Sequence, residues 1–313
     1  MKLNWLSLIA LGFSLSTSIM GAEVDSFTHR LIPLEDSLDF INEKTNNYLA
    51  RAIDELNEKK KGCNEKKFYR HLRGYFNNQY RGEMVKEIVD TQGIDAHWII
   101  IEDSIYQDFS WIQSPIQGFW GRVVSDPTAA LIKVNNVFIG TDKFEHFMGS
   151  GFRYFKTYHL DKNPLGDALK IGYSAETGMM GSIMTGVKSH GDLIANFNGM
   201  RFWNHMFQHE DDVLGAEYNV GPYVTCVDDQ WQQVKKIDWA NYIDDAFDEG
   251  QNCSSFRTQE MLEMVENRIS DVSLRGGQVL KCPMEPEKML PLLEKYGPLS
   301  DELINLKGHT VVD

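Results

Sequence analysis

The chain has 313 residues, with 45 Asp and Glu against 31 Lys and Arg and a net charge of −14. A balance this acidic argues against nucleic acid and anionic lipid as main partners. The length suffices for one large or two modest domains with a sizeable core. Beyond the N-terminal stretch no apolar run approaches the ~20 residues of a membrane-spanning helix, so no transmembrane segment is expected in the mature chain.

At the N-terminus, Lys2 precedes an apolar stretch from Trp5 to Phe13, then small residues ending in Met20-Gly21-Ala22. This pattern predicts a secretory signal peptide over 1–22, cut after Ala22. No Cys stands near the cut to carry a lipid. Periplasmic or secreted localisation follows. Four cysteines remain, Cys63, Cys226, Cys253 and Cys282. An even count in an exported chain predicts two disulfides, with three pairings open and free buried thiols as the alternative. The pairing favoured is Cys253–Cys282, closing a C-terminal loop, with Cys63–Cys226 tying the N-terminal helices to the body. The wide spacings fit no zinc pattern.

Residues 23–128 read as an N-terminal helical layer followed by an aromatic loop. Leu38, Ile41, Tyr48, Leu49, Ala52, Ile53 and Leu56 recur at steps of three and four, which predicts an amphipathic helix over 35–60. Shorter helical patterns follow near 66–76 and 82–89. Residues 94–128 are rich in aromatics, among them Trp98, Tyr106, Phe109, Trp111, Phe119 and Trp120, punctuated by Pro115, Gly118, Gly121 and Pro127. Such a loop either lines a cleft or is ordinary core under a long connection.

Residues 129–210 read as a hairpin followed by a three-helix motif core. Leu131–Val134 and Val137–Ile139 flank Asn135-Asn136, a pair that tolerates the positive φ of a tight hairpin turn. The first motif helix starts at Thr141 or Asp142. With Asp142 as its N-cap, Glu145 completes a capping box, and Asp142, His146 and Ser150 share a face. Gly149 and Gly151 weaken the helix and predict close approach by another backbone. The second helix opens after Asn163-Pro164 and runs to Glu176, among Gly172, Ala175, Gly178 and Gly181. A carboxylate in so small a setting is partly buried, which raises its pKa. The third helix opens at Ser189, again with a capping box to Asp192. Ser189, Asp192, Asn196, Gly199 and Trp203 then form a polar face turned inward. Residues 211–313 read as a C-terminal helical closing layer without chemistry.

Capping accounts equally well for Asp142, Glu145 and Asp192, and a helix His is more often a satisfied core residue. Glu176 has no such account. Together, three helices bring polar groups into glycine- and aromatic-rich sequence between 142 and 196. The expected catalytic residues are Glu176, His146 and Asp192, with Asn196 and Lys143 binding substrate and Asp142 and His146 as ligands of one divalent metal ion. A His with two or three carboxylates can hold a divalent cation and activate water. Two carboxylates flanking a cleft, one raised in pKa, instead suit glycoside hydrolysis.

Asp142-Lys143-x-x-His146-Phe147, then Glu176-x-Gly178, then Ser189-x-x-Asp192-Leu193-x-Ala195-Asn196-x-x-Gly199 resembles the pattern of the YfiM-type bacterial envelope proteins. The Asp-Lys-x-x-His opening is also similar to that of VanZ-like membrane proteins, whose membrane spans this chain lacks. The resemblance covers about residues 140–203 and implies an envelope location and a helical core. The expectation is a mainly α protein, a helical bundle-like core with one small β-hairpin. Its expected function is hydrolysis of peptidoglycan or another envelope component. The alternative is a non-enzymatic periplasmic structural or binding protein with a buried polar network.

Overall fold

The computed structural model describes residues 23–60, 62–120, 128–178 and 181–312; the expected signal segment 1–22 lies outside them. The fold is mainly α, with the short strands among the described residues gathered in three small sheets. Helix α1 (Leu38–Glu58) buries Ile41, Thr45, Tyr48, Leu49, Ala52 and Ile53, the apolar stripe that its sequence carries. Helix α2 (Glu65–Leu72) is capped by Asn64, whose side chain accepts the Lys67 N–H, and α3 (Glu83–Val89) follows. Strands β1 (Leu131–Val134) and β2 (Val137–Gly140) form the expected hairpin, with Val134 opposite Val137. Asn135 and Asn136 both take positive φ, 55° and 62°, as a tight turn of matching twist requires.

The hairpin delivers the chain to a continuous helical rod, α4. Its segments Asp142–Glu145 and Gly151–Phe155 are α-helical, while His146–Ser150 and Lys156–Leu160 are π turns. A π turn closes hydrogen bonds over five residues rather than four, which interrupts the stripe expected through Asp142, His146 and Ser150. Asp142 is buried, whereas His146 and Ser150 reach partly into solvent. Helix α5 (Leu165–Glu176) starts after Pro164 and ends on Glu176. Strand β3 (Val187–Lys188) leads to α6 (His190–His205), whose residues are buried on every face.

Rod α4 and helix α6 cross at two glycines. A Cβ on Gly199 would stand 2.0 Å from the Phe147 carbonyl oxygen, and one on Gly151 would stand 2.6 Å from Gly199 Cα. The expected close approach is therefore made at Gly151. At Gly149 a Cβ would make ordinary contacts, with Asn77 Oδ1 at 3.7 Å and the Asn78 backbone nitrogen at 3.8 Å.

The C-terminal region is helical, with α7 (Gln259–Gly276), α8 (Met289–Tyr296) and α9 (Ser300–Leu303). It also holds a second hairpin, β4 (Val224–Val227) with β5 (Gln230–Gln233), turning at Asp228 and Asp229 with positive φ. Strand β6 (Ser255–Phe256) bridges β3 to β7 (Thr310–Val311). These strands of two to four residues are too short to show an alternating pattern. Both disulfides form in the favoured pairing, Cys63–Cys226 and Cys253–Cys282.

One apolar core joins the N-terminal helices, the motif helices and C-terminal aromatics such as Trp231, Trp239, Tyr242 and Tyr296. A smaller one gathers Phe27, Tyr106, Phe109, Phe256, Met261 and Ile269. The aromatic loop thus divides. Tyr106 and Phe109 are core, while Trp98 and Trp111 are exposed. The side chains of Phe119 and Trp120, and residues 121–127, lie outside what the structure describes.

The glycine crossing gives a direct test. Gly199→Ala forces α4 and α6 apart, and urea unfolding should show a loss of at least ~1–3 kcal/mol. An unchanged midpoint would contradict the packing.

Candidate active site

Lys143 is the hub of the site. Its side chain is 0% exposed, and its ammonium lies 2.6 Å from Asp142 Oδ2, 2.7 Å from Asp192 Oδ1 and 2.6 Å from Glu249 Oε1. These carboxylates come from α4, from α6 and from the loop before β6. Gly191, in the first turn of α6, lets the lysine pass: a Cβ there would stand 2.9 Å from Lys143 Cε and 3.1 Å from Glu249 Cγ. Glu249 is held in turn by the Ser189 hydroxyl at 2.5 Å and the Ser254 hydroxyl at 3.2 Å. Burial alone would lower the lysine pKa, but the three carboxylates outweigh it and hold it well above the usual value.

The capping expectations are met only in part. Asp142 does not cap α4; its carboxylate bonds Lys143, and Glu145 accepts the Gln79 N–H at 2.5 Å instead. Ser189 does cap α6, accepting the Asp192 N–H at 3.0 Å. The reciprocal half of that box is absent among the described residues. Asp192 turns to Lys143, and the Ser189 N–H points at Glu176 Oε2, 3.4 Å away.

His146 occupies the other side of Asp192. Its Nε2 lies 3.2 Å from Asp192 Oδ2, and its Nδ1 lies 3.3 Å from Asn196 Oδ1. A relay behind Asn196 orients the ring. Tyr154 donates its hydroxyl to the Leu169 carbonyl at 3.3 Å and accepts from the Asn196 amide. The amide nitrogen of Asn196 is thereby directed at Tyr154 and its oxygen at His146, where it accepts from Nδ1. Nε2 is left facing Asp192. Gly172 leaves room for this relay, since a Cβ there would collide with Tyr154 Oη.

Glu176 closes the group. One ligand atom each from His146, Glu176 and Asp192 lie within 4.8 Å of one another. The Glu176 carboxyl is buried, and the 3.4 Å contact from Ser189 is its only hydrogen bond among the described residues. Burial, then the charges of Asp192 and Glu23, push its pKa well above the usual carboxylate value. Glu23 is buried alongside and hydrogen-bonded to Thr185. Burial and the charges of Asp192 and Glu249 hold its pKa high in the same way.

No family model, curated protein or solved structure matches this chain. The site is therefore read from its own geometry. The six residues expected from sequence, Asp142, Lys143, His146, Glu176, Asp192 and Asn196, come together. Their roles divide. Lys143 is enclosed by carboxylates rather than open to a substrate, and Asp142 falls with Asp192 and Glu249 around it rather than in a ligand group with His146. Two members were missed. Glu249 lies in a region read as closing layer, and Glu23 follows directly on the expected signal cut; neither has a helical pattern to mark it.

Removing the hub should be severe. Lys143→Met leaves three buried carboxylates without their cation and should cost about 3–5 kcal/mol in chemical unfolding; a loss below ~1 kcal/mol would show that the cluster is not held by charge.

His190, first residue of α6, adds a pH dependence. Its Nδ1–H donates to the Cys253 carbonyl at 3.0 Å, and burial, aided by the Lys188 charge, lowers its pKa from 6.5 to about 4. Neutral His190 is therefore favoured by folding. Its contribution is complete above pH 6.5 and is lost as pH falls through about 4. The loss amounts to about 3 kcal/mol. In His190→Gln the stability profile over that window should be flatter by a similar amount, and a slope equal to the parent's would refute the assignment.

Proposed function

We propose that this chain is an exported protein of the bacterial cell envelope, akin to the YfiM-type family, and that it hydrolyses an envelope component, with peptidoglycan as the substrate class. The observation that carries the reading is the convergence of an oriented histidine nitrogen with two carboxyl groups. His146 Nε2 is aimed by the Asn196–Tyr154 relay at Asp192, and Glu176 stands beside both. A water placed among these three atoms is polarised, and it has acceptors for its proton within reach. His146 is the part open to an incoming group, its side chain 14% exposed against 7% for Asp192. Use of all four cysteines in disulfides fits an oxidising compartment. No helix among the described residues is long and apolar enough to cross a membrane.

A second reading rests on the Lys143 side. Three ion pairs around a buried ammonium are what a non-enzymatic envelope protein would use to fix the register of its helices. The two readings part at Glu176, which bonds neither Lys143 nor another side chain among the described residues. In the hydrolase, Glu176→Gln should unfold at the parent's midpoint or above it, because a buried carboxyl is replaced by a neutral amide. Release of soluble fragments from purified peptidoglycan should fall at least ~100-fold. In the scaffold, the same change should lower stability by roughly 1–3 kcal/mol, with no turnover in the parent to lose.

A further inference from the structure

We propose that His146 Nε2, Asp192 Oδ2 and one Glu176 carboxylate oxygen bind a divalent transition-metal ion of the zinc type. The inference rests on the reading that water is activated at this point, and it adds the group that activates it. Among the described residues, three groups of His, Cys, Asp and Glu have the spacing to hold an ion. Cys253, Cys282 and His309 form one, but their sulfurs are bonded to each other. Asp142, Asp192 and Glu249 form another, but the Lys143 ammonium fills it. His146, Glu176 and Asp192 are left.

The spacing supplies an independent reason. A relay that runs outside the cluster turns His146 Nε2 toward Asp192 Oδ2, 3.2 Å away. That spacing suits a metal, since two ligands ~2.0–2.1 Å from a tetrahedral ion stand ~3.3–3.4 Å apart.

Charge points the same way. Glu23 is buried, and its Oε2 has no hydrogen-bond partner among the described residues, although it acts electrostatically on both Glu176 and Asp192. Lys143 is committed to Asp142, Asp192 and Glu249. A buried carboxyl group acting on Glu176 and Asp192, with no ion pair to Lys143 among the described residues, favours a second positive centre.

One imidazole and two carboxylates are ligands that zinc accepts. Three protein ligands leave a fourth position for water, the pattern of hydrolytic zinc sites. Asn196 then has the part of an outer hydrogen-bond partner, fixing the ring that binds the ion. With the ion in place, Glu176 acts as a ligand, and the water is held by the metal.

The test is calorimetric titration of the full chain, stripped with chelator, using Zn2+ alone, with elemental analysis after dialysis. One ion per chain is expected. Glu176→Gln and His146→Gln should each weaken binding at least tenfold, and His209→Gln, an exposed histidine elsewhere, should leave it unchanged. Zn2+ should also raise the melting temperature of the parent more than that of Glu176→Gln. If no ion is retained, or if Glu176→Gln and His146→Gln bind as the parent does, the proposal is wrong. Turnover separates this from the hydrolase reading. Peptidoglycan cleavage that persists in chelator would overturn the metal and keep the hydrolase, whereas a stoichiometric ion without cleavage would do the reverse.

Discussion

The structure depends on one buried ammonium. Lys143 reaches past Gly191 into the body of the protein and gathers Asp142, Asp192 and Glu249, groups that lie far apart in sequence. Stripped of water, none of these charges is tolerable alone. Together they hold α4, the start of α6 and the 249–254 loop in one arrangement. A displacement of any of the three segments would leave an uncompensated charge, a penalty steeper than the loss of an apolar contact. The apolar core around this point supplies most of the burial, and the ion cluster selects which burial is adopted.

Close backbone approach makes the cluster possible. Gly151 and Gly199 let α4 and α6 touch, which brings the first turns of both near the same point. The Ser189 hydroxyl accepts from the Asp192 N–H and donates to Glu249, so the cap of α6 is also a support of the charge cluster. Side chains at the start of a helix are spent here on tertiary contacts. That is why, of the two capping boxes legible in the sequence, the one at Asp142 does not form and the one at Ser189 is half formed.

Much of this could be read beforehand, and for a definite reason. Asp142, His146, Glu176, Asp192 and Asn196 stood out because polar groups inside apolar, glycine-rich helical sequence have few places to go except inward. The same contrast failed for Glu249 and Glu23. Glu249 sits in a run of acidic residues, Asp244-Asp245 to Asp248-Glu249, that has the composition of a solvated surface. Glu23 belongs to a short extended segment beside Ala129, with no period to betray burial. The π turns of α4 were equally invisible, because they arise from tertiary packing and carry no residue signature. The disulfide pairing was one of three permitted by the count, and it is the fold that selects it.

Asp192 joins the two halves of the site. Its Oδ1 faces Lys143 and its Oδ2 faces His146, so one carboxylate serves the ion cluster with one oxygen and the candidate water site with the other. Stability and chemistry are therefore coupled at this residue, and a change of charge beside His146 is felt by the ammonium that holds the helices. Glu176 stands on one side only. It terminates α5, lies beside His146 and Asp192, and contributes no ion pair to Lys143 among the described residues. A carboxylate buried at that cost, with a single long hydrogen bond, stabilises nothing visible in the fold.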